Sequence, residues 1–134
     1  MSIQSYLQQP SAIPDVHLAL TSSQVLEQAQ HFHSTIPGYR PTPLFSLDGL
    51  ASSLGLSSLL IKDESQRFGL NAFKALGGSF AIAHTLAGKL GWSMDEVTFE
   101  ALMRPEVREK LGALTFVTAT DGNHGRGVAW AARL

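Results

Sequence analysis

The chain contains no cysteine. That excludes a disulfide scaffold and a thiolate metal centre, and it fits a reducing compartment. Neither sign of charge is in excess: 10 Lys and Arg against 11 Asp and Glu leave a formal net charge of -1. Neither nucleic acid nor an acidic membrane surface is therefore an expected partner. Long hydrophobic runs are missing too, and the apolar stretches fall far short of the roughly 20 residues of a membrane span. The start Met1-Ser2-Ile3-Gln4-Ser5 lacks a charged segment followed by an apolar core. No secretory signal is expected, and the cytoplasm is the expected location. There is no repeat, low-complexity tract or clear linker. What remains is ordinary for an ordered domain: 134 residues, 44% hydrophobic and 16% charged, enough to bury one core.

Two polar, glycine-broken stretches carry the chemistry. The first is Lys62-Asp63-Glu64-Ser65-Gln66-Arg67-Phe68-Gly69-Leu70-Asn71-Ala72-Phe73-Lys74-Ala75-Leu76-Gly77-Gly78-Ser79-Phe80. Lys74 closes its loop and opens an apolar helical segment. A lysine at the mouth of a strand-loop-helix unit is partly desolvated and close to the positive end of the helix, and both effects favour the neutral amine that Schiff-base chemistry needs. The second stretch follows the β-branched run Leu114-Thr115-Phe116-Val117-Thr118-Ala119-Thr120. It reads Asp121-Gly122-Asn123-His124-Gly125-Arg126-Gly127 and leads into the helical pattern Val128-Ala129-Trp130-Ala131-Ala132. In open α/β sheets ligands collect at the carboxyl ends of parallel strands, so Asp121, Asn123 and His124 are expected to face the same crevice as Lys74.

The remaining elements read as follows. Thr21 and Gln24 form a capping box ahead of Val25, Leu26, Ala29, Phe32 and Ile36, a helix that Pro37-Gly38 ends. Tyr39 to Phe45 is extended by its prolines, and Leu47, Leu50, Ala51 and Leu54 mark a short helix closed by Gly55. Leu59-Leu60-Ile61 is a strand. Ala75 to Leu90 is a helix with an apolar face of Leu76, Phe80, Ala83 and Ala87, ending at Gly91. Ser93 to Glu96 is another capping box, starting a helix that Pro105 interrupts or ends. Alternating strands and helices predict a parallel open sheet flanked by helices, with right-handed crossovers.

The two motifs, with Pro41-Thr42-Pro43-Leu44 and the Lys62-Asp63-Glu64 strand end, resemble the fold-type II family of pyridoxal-phosphate enzymes, and within it the diaminopropionate ammonia-lyase branch. The resemblance starts at about Tyr39. It implies that Lys74 carries pyridoxal phosphate as a Schiff base and that Asn123 hydrogen-bonds the cofactor's 3-hydroxyl oxygen. Phe73, Gly122 and His124 would join Lys74 and Asn123 in the cofactor site. Asp121 stands where other members usually have Ala or Ser, and it is expected to act as a second general base beside Lys74. The competing account of Asp121 is a turn residue capping the following helix. The implied reaction converts a small amino acid, 2,3-diaminopropionate, to pyruvate and ammonia, in an enzyme that is a homodimer at full length. A threonine or serine dehydratase would use Lys74 and Asn123 without needing Asp121.

Members of that family are considerably longer. Residues 1–134 therefore read as an incomplete amino-terminal portion of the catalytic domain, without the glycine-rich phosphate cradle and the group that meets the pyridine nitrogen. A catalytically inactive piece that serves only as an interaction module is the remaining alternative. Gly77-Gly78 is expected to pack the helix against a neighbour rather than to bind phosphate. His31 and His33, two apart on a helix, point to different faces, so they are expected to be solvated or half-buried and no metal site is expected. His84 is expected to be a packed, hydrogen-bonded histidine, and His124 to serve as a neutral hydrogen-bonding group. Asp63 and Glu64 end a strand, where either could orient Lys74 or Arg67; structural pairing is the expected role of both.

Overall fold

The computed structural model describes residues 22–120 and 122–134. In chain order it comprises α1 (Ser23–Thr35), β1 (Leu44–Ser46), α2 (Asp48–Ser53), β2 (Leu60–Lys62), a 3-10 turn (Arg67–Gly69), α3 (Lys74–Leu90), a second 3-10 turn (Met94–Glu96), α4 (Phe99–Leu102), α5 (Pro105–Leu111) and α6 (Asn123–Arg133).

Local signals account for most of these boundaries. Ser22 caps α1, its hydroxyl accepting from the Val25 N–H at 3.3 Å; Thr21, half of the expected capping box, lies outside the described residues. α3 ends at Gly91, whose φ of 74° is the left-handed conformation that suits glycine after a helix. Ser93 caps only the single turn Met94–Glu96. Thr98 starts α4 instead, accepting from the Ala101 N–H at 3.1 Å. Pro105 interrupts the helical run, as expected: α4 stops at Leu102 and Arg104 is extended. The proline opens α5, where a missing N–H costs nothing because the first turn has no intrahelical acceptor for it.

The strands differ from the expected parallel pairing. β1 and β2 run antiparallel, with Leu44 opposite Lys62, Phe45 opposite Ile61 and Ser46 opposite Leu60. Parallel sheets need cover on both faces, whereas an antiparallel pair tolerates exposure, and all six residues of these strands are exposed. Leu114–Thr120 has strand composition but joins no ladder among the described residues, and Val117 is 90% exposed.

The core lies between α1, α3 and the segment after α3. Phe32 and Ile36 meet Ala83, Ala87, Met94 and Val97, with Phe68, Phe80, Phe99 and Trp130 packed around them. Beside it a polar knot fixes the end of β2. Arg67 is only 5% exposed, and it donates from Nε to Glu64 Oε2 at 2.8 Å and from Nη2 to Glu64 Oε1 at 3.1 Å. Its Nη1 donates to the Arg40 carbonyl at 2.8 Å, and the guanidinium lies 5.0 Å from the Tyr39 ring centre. The Thr42 hydroxyl donates to Glu64 as well, and Lys62 Nζ donates to the Thr42 carbonyl at 2.6 Å. Glu64 therefore orients Arg67, one of the two expected options, while Asp63 accepts from the Ser65 N–H at 2.9 Å. The hydrogen bond from Arg67 is the main reason that the Glu64 carboxyl is held below its ordinary value.

Glu64→Gln strips the buried guanidinium of its counter-charge, and we expect it to cost about 2–4 kcal/mol, read as a lower urea midpoint at unchanged slope. A depressed carboxyl pKa contributes stability above its ordinary 4.5 and loses it as pH falls through the folded value. The gap between the two proteins should therefore close in acid.

Candidate active site

Lys74 is the first residue of α3 and is half-buried. The residue before it, Phe73, supplies no side-chain cap, and its ring is 61% exposed. The loop that delivers the lysine contains two non-glycine residues with left-handed backbone, Phe68 at φ 50° and Asn71 at φ 55°. Such conformations persist where the surroundings hold them. For Phe68 the holder is Trp130 of α6, with ring centres 4.5 Å apart and planes inclined by 25°. Tyr39 meets the same phenylalanine at 6.4 Å.

α6 follows Gly122, whose φ of 144° and ψ of -94° favour a residue without Cβ. Thr120 caps its first turn: Oγ1 accepts from the Gly125 N–H at 2.7 Å and from the Gly122 N–H at 3.0 Å. A Cβ at Gly125 would fall 2.8 Å from that oxygen. Sequence reasoning missed Thr120, although a threonine just ahead of a glycine-rich helix start is a recognisable capping signal. Asp121 lies outside the described residues. His124 shares a 3.0 Å hydrogen bond with Thr118 Oγ1, and Asn123 is exposed.

The two motifs meet through their helices. A Cβ at Gly127 would lie 2.9 Å from Ala75 N, 3.0 Å from Lys74 C and 3.1 Å from Ala75 Cα, so α6 rests on the backbone that carries the lysine. Gly78 completes the fit, with Gly127 C and Val128 N each 3.5 Å from its Cβ position. The expected packing role of Gly77-Gly78 thus falls to Gly78; around Gly77 the space is open. Phe73, Lys74, Leu76, Gly77, Gly78 and His124 line one cleft of about 320 Å³. Of the expected site residues, Lys74, Phe73 and His124 share this cleft. Gly122 and Asn123 precede His124 but do not line it.

His33 departs from expectation. It is buried at 9% exposure, and Nε2 donates to the Leu76 carbonyl at 2.9 Å, in the first turn of α3. Its ring stacks on Tyr39 at 6.1 Å. Burial pushes its pKa below 6.5, and the charge of Arg67 acts in the same direction against the hydrogen bond to Leu76. Its place four residues after Ala29, on the apolar stripe, was the available signal. His84, expected to be packed, is exposed.

Gly127→Ala forces a methyl group against immovable backbone, and we expect it to destabilise the fold by about 1–3 kcal/mol. Gly88→Ala, in α3 with nothing within 4 Å of its Cβ position, should stabilise by about 0.5–1 kcal/mol, and thermal melts compare the two. A second expectation concerns acid. Because folded His33 titrates below 6.5, stability tied to its neutral form is complete above that pH and is lost as pH falls toward the folded value. His33→Phe should flatten the pH dependence of the unfolding free energy between about pH 7 and 5.

The chain can now be set beside known proteins. The profile of the family described as pyridoxal-phosphate dependent enzyme matches residues 35–134, which takes in both motifs. Diaminopropionate ammonia-lyase of Salmonella typhimurium is 54% identical over 115 residues, 86% of this chain and 28% of that protein. The Escherichia coli K12 protein of the same name is 53% identical over 114 residues, 85% of this chain and 28% of its own length. The chain therefore spans little more than a quarter of these curated relatives. The crystal structure of Escherichia coli diaminopropionate ammonia lyase in apo form superposes with a TM-score of 0.74 and 52% identity, covering 85% of this chain and 30% of that one. With 35 to 134 inclusive giving 100 matched residues out of 134, the chain belongs to the pyridoxal-phosphate dependent enzyme family.

Proposed function

We propose that the enzyme containing these residues is an ammonia-lyase that converts 2,3-diaminopropionate and water to pyruvate and two molecules of ammonia, with pyridoxal phosphate held on Lys74. The observation that carries this reading is the contact of α6 with the Lys74–Ala75 backbone at Gly127, which puts the lysine and the Asn123-His124 turn on one structural unit. The cleft suits the attachment end of the cofactor. It has a half-buried lysine at a helix start, open space at Gly77, the aromatic ring of Phe73 and the hydrogen-bonding His124. The phosphate cradle of the family belongs, on this reading, to the remainder of the polypeptide.

The cofactor, when bound, serves as a sink for the electrons released at the substrate Cα. Lys74 holds it and, once free as an amine, is one group able to take the Cα proton. Asp121 is a second, so the site has a base for either enantiomer. Asn123 would hydrogen-bond the cofactor's hydroxyl oxygen, and Gly122 would let the backbone come close to a flat ligand. His124, tied to Thr118, contributes a fixed hydrogen-bonding imidazole. Phe73 lines the cleft beside the lysine.

The same reading makes Leu114–Thr120 one strand of a parallel open sheet flanked by helices, with its partner strands elsewhere in the polypeptide; its β-branched composition supports this. It also makes the enzyme a cytoplasmic homodimer of amino-acid breakdown, and the absence of cysteine from the 134 residues fits such a compartment.

Borohydride reduction of the loaded enzyme should leave the cofactor on the peptide containing Phe73-Lys74-Ala75; a label on Lys62 or Lys89 would refute the assignment. Asp121→Asn should lower turnover by about a hundredfold for one enantiomer and much less for the other. Small, equal losses with a lower melting temperature would return Asp121 to a structural role. Turnover of threonine or serine in place of diaminopropionate would move the reading to a dehydratase. The isolated 134 residues, lacking a phosphate cradle whose hydrogen bonds are worth about 1.5–3 kcal/mol each, should bind the cofactor weakly and release no ammonia.

A further inference from the structure

The first turn of α3 carries Lys74, yet it lacks the usual means of holding a helix start in place. Phe73 precedes it without a side-chain cap. First turns fray when their N–H groups have no capping partner, and a lysine there shares that motion. Two contacts from outside the helix hold this turn in place instead. One is the seat of α6 on Lys74 and Ala75 at Gly127. The other comes from α1: the imidazole Nε2–H of His33 donates to the Leu76 carbonyl at 2.9 Å.

The position of that carbonyl is what matters. The N–H of Leu76 bonds back to the Phe73 carbonyl at 2.9 Å, so the Leu76 residue closes the junction between loop and helix around Lys74. The same Leu76 oxygen also accepts from Ser79 Oγ at 3.0 Å, from within α3. A helical carbonyl has an intrahelical N–H for a partner, so it does not need a histidine; the His33 bond adds location rather than satisfying an orphan. His33 is itself locked. It stacks on Tyr39, meets the Phe80 ring edge at 6.1 Å and lies beside Phe32 at 5.9 Å. A rigid ring carrying one donor, fixed to α1 and aimed at the turn that bears the lysine, is a second support placed behind a functional group.

We propose that His33 is a positioning residue for Lys74, its imidazole N–H holding the first turn of α3 so that the amine keeps its place in the cleft. The catalytic meaning of this rests on Lys74 being the cofactor lysine, but the geometry does not.

Two variants separate the donor from the ring. His33→Phe keeps the stacking and removes the N–H; His33→Gln keeps a donor and removes the ring. His33→Met serves as a further donor-free arm should the phenylalanine protein fold poorly. In the intact enzyme without cofactor, reductive methylation with mass analysis gives the labelling ratio of Lys74 to Lys89, at the opposite end of α3. A freed first turn should raise that ratio by about three- to tenfold in the donor-free variants, the scale of one lost hydrogen bond, and Gln should restore it to within about twofold. Half-saturation with pyridoxal phosphate, followed by its absorption change, should move to higher concentration by a similar factor. If the donor-free proteins melt at lower temperature while the labelling ratio and half-saturation stay at wild-type values, His33 only packs and the proposal is wrong. If Gln fails to restore the ratio, the ring and not the donor matters, which also overturns it. Should borohydride place the cofactor on another lysine while the Lys74 ratio still responds to His33, the functional reading fails and the positioning role stands.

Discussion

The site depends on the absence of a side chain at position 127, because a methyl group there would fall about three ångströms from the backbone of Lys74 and Ala75. Helices that meet through ordinary side chains stand roughly 8–10 Å apart, and a glycine at the crossing lets them come closer. Several features follow from that one approach. Val128 reaches Gly78, Trp130 comes into register with Phe68, and His124 enters the cleft of Lys74. Two sequence motifs about fifty residues apart become one surface because small residues face each other where they cross.

The other determinant is the buried Arg67, which organises the loop entering α3. Its bonds to Glu64 and to the Arg40 carbonyl tie two stretches of chain together at the end of β2, and Tyr39 covers the guanidinium face. The residue after it, Phe68, has a left-handed backbone, and its ring is clamped between Tyr39 and Trp130. Polar fixation on one side and aromatic clamping on the other hold a strained turn next to a candidate reactive lysine, the setting in which local strain is usually found. His33 joins this arrangement through Tyr39, so α1, the loop and the first turn of α3 share one set of contacts.

The helices were largely legible because their signals are local. Apolar spacing announced α1 and α3, Gly91 marked an end, and the strand-like run before a glycine-rich turn located the start of α6. What the sequence concealed depends on which partner a segment finds. Leu59-Leu60-Ile61 reads as a strand, and Leu60–Lys62 is one, but nothing in its composition says that Leu44–Ser46 lies antiparallel beside it. Pro105 announces a break in the helical run, but that α4 stops as early as Leu102 and a new helix opens at the proline itself is visible only in the backbone. At the site, Lys74 and His124 could be placed from their motifs, whereas the burial of His33 depends on Tyr39 and Phe80 arriving from other elements.

Close helix contact has an energetic consequence that bears on how the site is supported. The residues that let α3 meet its neighbours are Ala75, Gly78, Ser79, Ala83 and Ala87, which bury little apolar area, and among the described residues Val97 is the largest side chain fully withdrawn from solvent. Burial is worth about 25 cal/mol per Å², so a core of this composition contributes modestly for its size. Meanwhile Leu44, Phe45, Leu50, Leu54, Leu60 and Ile61 stand exposed around β1, α2 and β2, and Val117 stands exposed ahead of α6. Apolar surface of that extent is rare on a protein that functions unaccompanied. The short backbone contacts around Lys74 give precision, whereas the large apolar residues on the strands stay exposed, so the geometry of the site and the bulk of the apolar side-chain surface reside in different parts of the chain.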